Sequence, residues 1–213
     1  LGIVGESGSG KTMTGRAVLR LIRPPGRIEA EAMTFDGQDL MKASEREMRA
    51  LRGKRIGMIM QDPKFSLNPV MTVGRQLTEG LRLRDGLGRA DATAKALAAL
   101  EAVQIRDPER VMGAYPHELS GGMRQRVMIA MMLIPEPDLL IADEPTTALD
   151  VTVQAEVLSI LDNLVRDRNM SLIFISHDLR LVARFCDRVL VMYKGRIVEE
   201  VAAGKLLDAQ HPY

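Results

Sequence analysis

The sequence predicts an α/β fold in which a parallel sheet is interrupted by an all-helical insertion. Two apolar runs of strand length, Leu139–Ala142 and Leu172–Ser176, flank a segment whose apolar residues recur at helical spacing. Strands that are apolar throughout indicate a parallel sheet covered by helices on both faces. Strand signals vanish between Val73 and Ile134, so we expect a core of residues 1–72 and 135–213 and a helical subdomain of residues 73–134.

The individual elements are predicted from apolar runs and from the residues that bound them. The predicted strands are Leu1–Val4, Ile28–Phe35, Ile56–Met60, Leu139–Ala142, Leu172–Ser176 and Val189–Met192. The predicted helices are Lys11–Ile22, Ser44–Leu51, Ala92–Val103, Gly122–Ile134 and Val153–Val165. Pro24-Pro25-Gly26 is expected to stop the first helix, Asp36-Gly37 to form a turn, and Ser44 to cap its helix through a capping box with Glu47.

The composition excludes several classes of protein. The 213 residues are 46% hydrophobic and 27% charged, which suits a chain with a buried core. The 29 Lys and Arg residues nearly balance the 28 Asp and Glu residues, whereas a protein that coats nucleic acid would show a basic excess. No run of ~18 apolar residues is present, so no segment is expected to span a bilayer. The single cysteine, Cys186, fits a reducing compartment.

The first functional candidate is the loop Gly5-Glu6-Ser7-Gly8-Ser9-Gly10-Lys11-Thr12, which fits the pattern G-x-x-x-x-G-K-[ST]. Its glycines let backbone amides curl around a polyphosphate, and the following helix presents its N-terminus to the anion. Lys11 is predicted to reach the β- and γ-phosphates, and Thr12 to hold Mg²⁺. The alternative is a flexible loop with a solvated lysine, which is disfavoured because an apolar strand precedes the loop and a helix follows it.

The second candidate is the carboxylate pair Asp143 and Glu144, which ends an apolar strand. Ligands of open α/β sheets bind at the carboxyl ends of the strands. Asp143 is therefore predicted to orient Mg²⁺, directly or through water, and Glu144 to polarise an attacking water in phosphoryl transfer. The alternative is an acidic pair that faces solvent, and the presence of the phosphate loop favours the functional interpretation.

The third candidate is Leu119-Ser120-Gly121-Gly122-Met123, which immediately precedes a predicted helix. Ser120 is a good N-cap, and the two glycines leave backbone amides bare for an anion. An ordinary capped turn is the alternative. The sequence thus contains two candidate phosphate-binding loops but only one strand that ends in metal-binding carboxylates. The simplest explanation is that both loops bind the same nucleotide, one from each subunit of a dimer.

These motifs together resemble the nucleotide-binding domain of an ABC transporter, which implies a P-loop NTPase core with an inserted helical signature subdomain. Gly5–Thr12 resembles its Walker A motif, and Leu139–Glu144 resembles its Walker B motif. Leu119–Met123 is similar to its signature motif, in which Met123 stands where glutamine is usual. The matches to its Q-loop, D-loop and switch histidine are Gln61, Asp150 and His177. All six motifs occur in the family's order.

The resemblance implies ATP as the nucleotide and Mg²⁺ as its metal ion, with Thr12, Gln61 and Asp143 at the metal. It also implies that His177 contacts the γ-phosphate and holds Glu144 and the attacking water in line. Glu144, His177 and Gln61 are therefore the predicted catalytic residues.

The resemblance further implies a site shared between two subunits. Ser120, Gly121 and Gly122 would contact the nucleotide of a second subunit, and Asp150 would cross the dimer interface. The residues matched to the Q-loop, the D-loop and the switch histidine also have alternative, purely structural interpretations. Gln61 could cap a turn, Asp150 could be the N-cap of the next helix, and His177 could be a surface histidine.

Within the family, the segments Gln61–Pro69, Tyr115–Glu118 and His211–Tyr213 resemble the subfamily that imports peptides and, in some members, nickel. This implies a bacterial ATPase subunit, peripheral on the cytoplasmic face of the inner membrane. Its implied partners are a second ABC ATPase subunit, integral membrane permease subunits and, indirectly, an extracytoplasmic solute-binding protein. No nucleic acid partner is expected. The alternative is a soluble ABC ATPase that acts on the ribosome or on nucleic acid.

The chain begins at Leu1, directly before the phosphate loop, so we expect a domain that is cut close to both ends. The family stacks adenine on an aromatic side chain that precedes Walker A, and no aromatic residue of this chain lies upstream of Gly5. We therefore expect weakened ATP affinity and little hydrolysis by the chain as it stands.

Overall fold

The chain divides into two compact units in a computed structural model that describes residues 1–61, 67–146 and 151–208. The first unit comprises Leu1–Met58, Leu139–Glu144 and Ser171–Tyr213. The second comprises Ile59–Asp138 and Pro145–Met170. This division assigns the helix after residue 150 to the second unit, whereas the sequence predicts it in the core. The two units are defined by packing alone, and the domain boundaries expected from the sequence stay a prediction.

The secondary structure follows the predicted alternation. The strands are β1 (Gly2–Gly5), β2 (Thr34–Phe35), β3 (Gln38–Asp39), β4 (Ile56–Ile59), β5 (Leu139–Asp143), β6 (Ser171–Ile175), β7 (Arg188–Tyr193) and β8 (Arg196–Ala202). The helices are α1 (Lys11–Val18), α2 (Glu45–Leu51), α3 (Val73–Leu83), α4 (Arg89–Ala102), α5 (Pro108–Gly113), α6 (Gly121–Leu133), α7 (Val151–Asp167) and α8 (Leu179–Phe185). Short 3₁₀ turns cover Pro116–Glu118 and Ala203–Asp208.

The main sheet has the strand order β4-β5-β6-β1-β7-β8. β1 pairs in parallel with β6 and β7, and β5 pairs in parallel with β6, so the predicted parallel sheet is confirmed. β8 is antiparallel to β7 and has no counterpart among the predicted strands. Its residues are mostly exposed or half-buried, so it lacks the apolar run that marks the other strands.

Helices cover this sheet on both faces. A Cβ at Gly15 of α1 would lie 3.3 Å from Ile175, whose register partner on β1 is Ile3. A Cβ at Gly2 would lie 2.1 Å from Val182 of α8. Successive residues of a strand point to opposite faces, so α1 and α8 pack on opposite sides of β1. The strands are apolar on both faces for this reason.

The first helix is shorter than predicted, because α1 ends at Val18 and not at Ile22. Arg20 adopts a left-handed conformation with φ 51°, and the Leu21 N–H donates to the Arg16 carbonyl at 2.9 Å. This is the hydrogen bond of a Schellman motif, which ends helices. Its usual sequence marker is glycine, and arginine at this position gives no such signal.

Of three further predictions for the first unit, one strand is largely wrong, while a turn and a helix cap are confirmed. The strand predicted at Ile28–Phe35 is wrong apart from Thr34–Phe35, which forms a two-stranded hairpin with β3. The predicted turn between them is confirmed, with positive φ at Asp36 and Gly37. The capping box of α2 is also confirmed: the Glu47 N–H donates to Ser44 Oγ, and the Ser44 N–H donates to the Glu47 carboxylate.

The second unit is helical within its described residues. α3, α4, α5 and α6 pack against one another, and α7 packs against α6. Their buried faces are largely aliphatic, as the helical spacing predicts. None of the helices in the described ranges is both long and apolar enough to cross a membrane.

Candidate functional site

The phosphate loop connects the carboxyl end of β1 to the first residue of α1. Gly8 and Gly10 have φ values of 81° and 102°, in the left-handed region that glycine adopts without strain. A Cβ at Gly5 would lie 2.2 Å from the Met192 carbonyl oxygen. The tight curl of the loop therefore depends on glycine at these positions.

Lys11 is held inside this curl. Its side chain is buried, and Nζ donates to the carbonyl oxygens of Gly5 at 2.7 Å and Glu6 at 2.8 Å. An ammonium carries three donors, and these carbonyls account for two. Lys11 is also the first residue of α1, where the partial positive charge of the helix adds to its own. A phosphate group bound here would offset this concentration of positive charge.

Thr12 and Asp143 meet although they lie far apart in the sequence. Thr12 Oγ1 donates to Asp143 Oδ1 at 3.0 Å. Burial raises the pKa of Asp143, which is 2% exposed; the hydrogen bond from Thr12 opposes this rise, and the neighbouring Glu144 carboxylate adds to it. A hydroxyl beside a buried carboxylate offers the oxygen ligands that Mg²⁺ prefers, and a cation there would favour the ionised carboxylate.

Glu144 and His177 form a second pair at the same edge of the sheet. His177 Nδ1 lies 3.3 Å from Glu144 Oε2, and the side chains are 60% and 14% exposed respectively. Glu144 has a left-handed backbone with φ 46°, and its N–H donates to the Ile175 carbonyl at 2.9 Å. Such strain in a residue other than glycine persists only where the surroundings hold it, and it concentrates at functional sites.

The sheet order explains why these groups converge. β5, β6 and β1 are neighbours and run in parallel, so their carboxyl ends lie at one edge. The phosphate loop follows β1, the pair Asp143 and Glu144 closes β5, and His177 lies two residues beyond β6. All of these residues belong to the first unit.

The Ser9 hydroxyl gives an independent indication that the loop suits a ligand. It is buried and has no hydrogen-bond partner among the described residues. Buried polar groups are almost always satisfied, so an orphaned hydroxyl in a phosphate loop fits an incoming phosphate oxygen. Ser9, Lys11, Thr12 and Asp143 therefore fit the phosphates of a nucleotide and an associated Mg²⁺ ion.

The signature segment lies in the second unit at the start of α6. Ser120 is the N-cap, as predicted, and its Oγ accepts a hydrogen bond from the Met123 N–H at 3.3 Å. A Cβ at Gly122 would lie 2.6 Å from Val153 Cγ1, so this glycine is also required where α6 packs on α7. A cavity of about 720 Å³ opens beside Ser120. Its lining includes three basic side chains, Arg106, Arg110 and Arg126.

The Gly122→Ala variant should test this packing. We expect it to lower the free energy of unfolding by about 1–3 kcal/mol, because the added methyl group overlaps Val153. Chemical denaturation of the chain measures the change. Gly80→Ala on α3 is the matched control, since no atom lies within 4 Å of its added Cβ. It should stabilise the chain by about 0.5–1 kcal/mol, and equal stability of the Gly122→Ala variant and the wild type would contradict the packing role.

Gln61 and Asp150 are not among the residues that form the contacts described above. Gln61 follows the end of β4, is exposed and belongs to the second unit. Asp150 lies outside the described residues, as does the segment His211–Tyr213. The roles assigned to them from the sequence stay predictions.

Gln125 has no assigned motif role in the sequence, yet it contacts the chain directly after the carboxylate pair. It is 2% exposed, and its Nε2 donates to the carbonyl of Pro145, the residue after Glu144. The sequence does offer one indication that Gln125 is buried. It lies four residues before Ile129, and residues four apart share a helix face, so its polar side chain falls on the apolar face of α6.

The fold and this site define a P-loop nucleotide-binding protein. A phosphate loop follows one parallel strand, and a strand that ends in carboxylates lies two places away in the same sheet. A family profile described as "ABC transporter" matches residues 1–147. The chain therefore belongs to the ABC transporter family.

Individual relatives agree with this family. The "Oligopeptide transport ATP-binding protein OppD" of Bacillus subtilis is 52% identical over 215 residues, which cover 100% of this chain and 60% of the relative. The "Dipeptide transport ATP-binding protein DppD" of Escherichia coli is 49% identical over 214 residues, with coverage of 100% and 65%. The chain thus spans less than two thirds of the length of these relatives.

A solved structure agrees with the fold. The dimeric post-hydrolysis state of the ATP-binding cassette MJ0796, bound to ADP and Pi, superposes with a TM-score of 0.81 at 26% sequence identity. The match covers 95% of this chain and 84% of that one. The α/β fold expected from the sequence is the fold of ABC ATPases.

Proposed function

We propose that the chain is the ATP-binding and ATP-hydrolysing part of a subunit that energises an ABC importer of peptide-type substrates. The observation that carries the proposal is the convergence at one edge of the sheet, where Thr12 meets Asp143 and Glu144 meets His177. These two contacts support a metal site formed by oxygen ligands and a carboxylate–imidazole pair beside a phosphate loop. Such an arrangement suits hydrolysis of a nucleoside triphosphate.

The chemistry follows from what each residue can do. Lys11 and the loop amides would bind the β- and γ-phosphates. Thr12 and Asp143 would hold Mg²⁺, which would supply neutralisation of the phosphate charge. Glu144 orients the attacking water and takes up its proton, and His177 contacts the γ-phosphate and keeps Glu144 in place. Positioning and charge supply most of the rate gain, because phosphoryl transfer needs little covalent help.

The proposal completes the site with a second subunit. Ser120, Gly121 and Gly122 of one subunit would bind the γ-phosphate of the nucleotide held by the other. Gln61 would contribute to the metal site, Asp150 would lie at the dimer interface, and residues 73–134 would form the helical subdomain that carries the signature. The dimeric state named for the structural neighbour supports this arrangement.

The substrate class and the partners rest on the relatives. Those named above are ATP-binding proteins of oligopeptide and dipeptide transport. We extend this to integral membrane permease subunits, an indirectly coupled solute-binding protein and a peripheral position on the cytoplasmic face of a bacterial inner membrane. The names of these relatives do not favour the soluble alternative that acts on ribosomes or nucleic acid. Co-purification of the full-length protein with membrane subunits supports the proposal, and co-purification with ribosomes would overturn it.

The Ser120→Arg variant tests the shared site. In the full-length protein we expect ATP binding within about twofold of wild type, because Walker A lies elsewhere in the chain, and ATPase activity lowered about 100-fold through loss of the phosphate donors. Titration with a fluorescent ATP analogue and a phosphate-release assay measure the two quantities. Unchanged ATPase activity would contradict the proposal that Ser120 of one subunit completes the site of the other.

A control separates this effect from the loss of a helix cap. Ser120 caps α6, so its replacement removes about 1 kcal/mol of stability in addition to blocking the cradle. Ser44→Arg makes the same exchange at the exposed N-cap of α2 in the first unit. We expect it to lower stability similarly and to leave the ATPase activity unchanged.

A further inference from the structure

Gln125 is a polar side chain buried within the second unit. It is 2% exposed, and its amide Nε2 donates a hydrogen bond to the carbonyl oxygen of Pro145. A buried amide that serves a backbone carbonyl satisfies that carbonyl and also fixes the position of the peptide unit. The hydrogen bond therefore fixes the backbone at Pro145, the residue that directly follows Asp143 and Glu144.

That point adjoins Glu144, a site residue with left-handed backbone. Glu144 has φ 46°, and the residue before a proline ordinarily prefers extended backbone with negative φ. A conformation of this kind carries about 1–3 kcal/mol of strain and needs support from its surroundings. On one side the Glu144 N–H donates to the Ile175 carbonyl, and on the other side Gln125 holds the Pro145 carbonyl.

We propose that Gln125 is a positioning residue for Glu144. By holding the Pro145 carbonyl it fixes the Pro145–Thr146 peptide, which restrains Pro145 and, through the bond between them, the backbone of Glu144. The carboxylate is thereby kept directed at His177, 3.3 Å away. The role rests on the proposed ATPase function, because Glu144 must act on a bound nucleotide for its orientation to matter. It also gives α6 two functions, since Gln125 lies five residues after Ser120, the N-cap of the same helix.

This second function has a consequence for coupling. α6 is a continuous helix from Gly121 to Leu133, so a displacement of its first turn moves Gln125 as well. When a second subunit's nucleotide engages Ser120, the same helix holds the backbone beside Glu144. A shift of α6 on that engagement would therefore reach the Pro145 carbonyl through this hydrogen bond.

The Gln125→Met variant tests the role in the full-length protein. Methionine retains the length of the side chain and removes the donor. We expect kcat for ATP hydrolysis to fall about 10- to 100-fold, because a misplaced reacting group loses near-attack geometry. KM for ATP and the ATP dissociation constant should stay within about twofold, since Lys11 and Thr12 are untouched. Loss of ATP binding with kcat retained would overturn the proposal.

A double-variant comparison distinguishes positioning from simple stabilisation. If Gln125 acts through Glu144, then Gln125→Met should cause no further loss of turnover when Glu144→Gln is already present. A structural role would lower the remaining turnover by the same factor in both backgrounds. Gln76→Met is the matched control, because the Gln76 amide also donates to backbone carbonyls of the second unit, those of Asn68 and Met71. An equal fall in kcat for this control would contradict the proposal.

Two outcomes identify which proposal has failed. If the wild type hydrolyses no ATP, or if Glu144→Gln retains full turnover, the proposed function is wrong. If Glu144→Gln stalls but Gln125→Met retains its kcat, the ATPase function stands and the positioning role is wrong. Should Gln125→Met fail to fold, Gln125→Leu serves instead, since its branched apolar side chain has nearly the same shape and carries no hydrogen-bond donor. The same fall in kcat is expected for it, and wild-type kcat overturns the proposal.

Discussion

Glu144→Gln should stop ATP hydrolysis while leaving ATP binding intact. The amide has the size of the carboxylate but cannot take up a proton from the attacking water, so we expect kcat to fall about 100-fold or more. The phosphate loop is unchanged, so the ATP dissociation constant should stay within about twofold of the wild-type value. Phosphate release and equilibrium titration on the full-length protein measure both.

The same variant should accumulate the ATP-bound dimer, because hydrolysis is the step that reopens it in the proposed cycle. Size-exclusion chromatography with ATP and Mg²⁺ detects this state. Glu136→Gln is a matched control: Glu136 is another glutamate with left-handed backbone, φ 57°, and its exposed side chain pairs with Lys95. It should hydrolyse ATP at the wild-type rate. Full turnover by Glu144→Gln would falsify the role given to this carboxylate.

Lys11→Ala should abolish useful nucleotide affinity. Lys11 is the buried cation of the phosphate loop, and its Nζ also bridges the carbonyls of Gly5 and Glu6. The variant loses charge-assisted hydrogen bonds to phosphate and the bridge that keeps the loop curled. We expect the ATP dissociation constant to rise about 100-fold, which corresponds to about 2.7 kcal/mol. Equilibrium titration with a fluorescent ATP analogue measures the change.

The control for this prediction is Lys42→Ala. The Lys42 side chain is 88% exposed and pairs with Asp39, so its loss removes one positive charge from the same unit without touching the loop. Surface ion pairs contribute little, and ATP affinity should be unchanged. If Lys11→Ala and Lys42→Ala bind ATP equally well, Gly5–Thr12 is not the phosphate site.

The local features of the site were predictable because short-range physics sets them. Glycine at positions that need left-handed backbone produces the phosphate loop whatever surrounds it, and Gly8 and Gly10 occupy such positions. The cap of α6 at Ser120 and the capping box of α2 depend only on residues within one helical turn. An apolar run that ends in carboxylates likewise identifies β5 and the position of Asp143 without reference to other strands.

The errors arose where the deciding interaction is remote or has no sequence marker. β8 carries three charged residues among its seven and is exposed or half-buried throughout, and backbone hydrogen bonds to β7 decide that it is a strand. α1 stops at Val18 because Arg20 adopts a left-handed conformation, for which arginine gives no signal. From the sequence, Gly122 is interpreted only as a residue that exposes its backbone amide to an anion. The structure adds that a side chain at this position would overlap Val153 of a different helix.

By itself the sequence determined the class of this protein, because the phosphate loop, the acidic strand end, the signature and the switch histidine are each encoded within a few consecutive residues. Only the tertiary structure decided which of these groups meet. Thr12 and Asp143 are 131 positions apart, and they touch because β5, β6 and β1 pair in that order. The contact of Glu144 with His177 has the same origin. The contact of Gln125 with Pro145 is likewise long-range, but it lies within the second unit and involves no strand. Periodicity and propensity specify local conformation and burial, whereas the order of strands and the partners of buried polar groups follow from the packing of the whole chain.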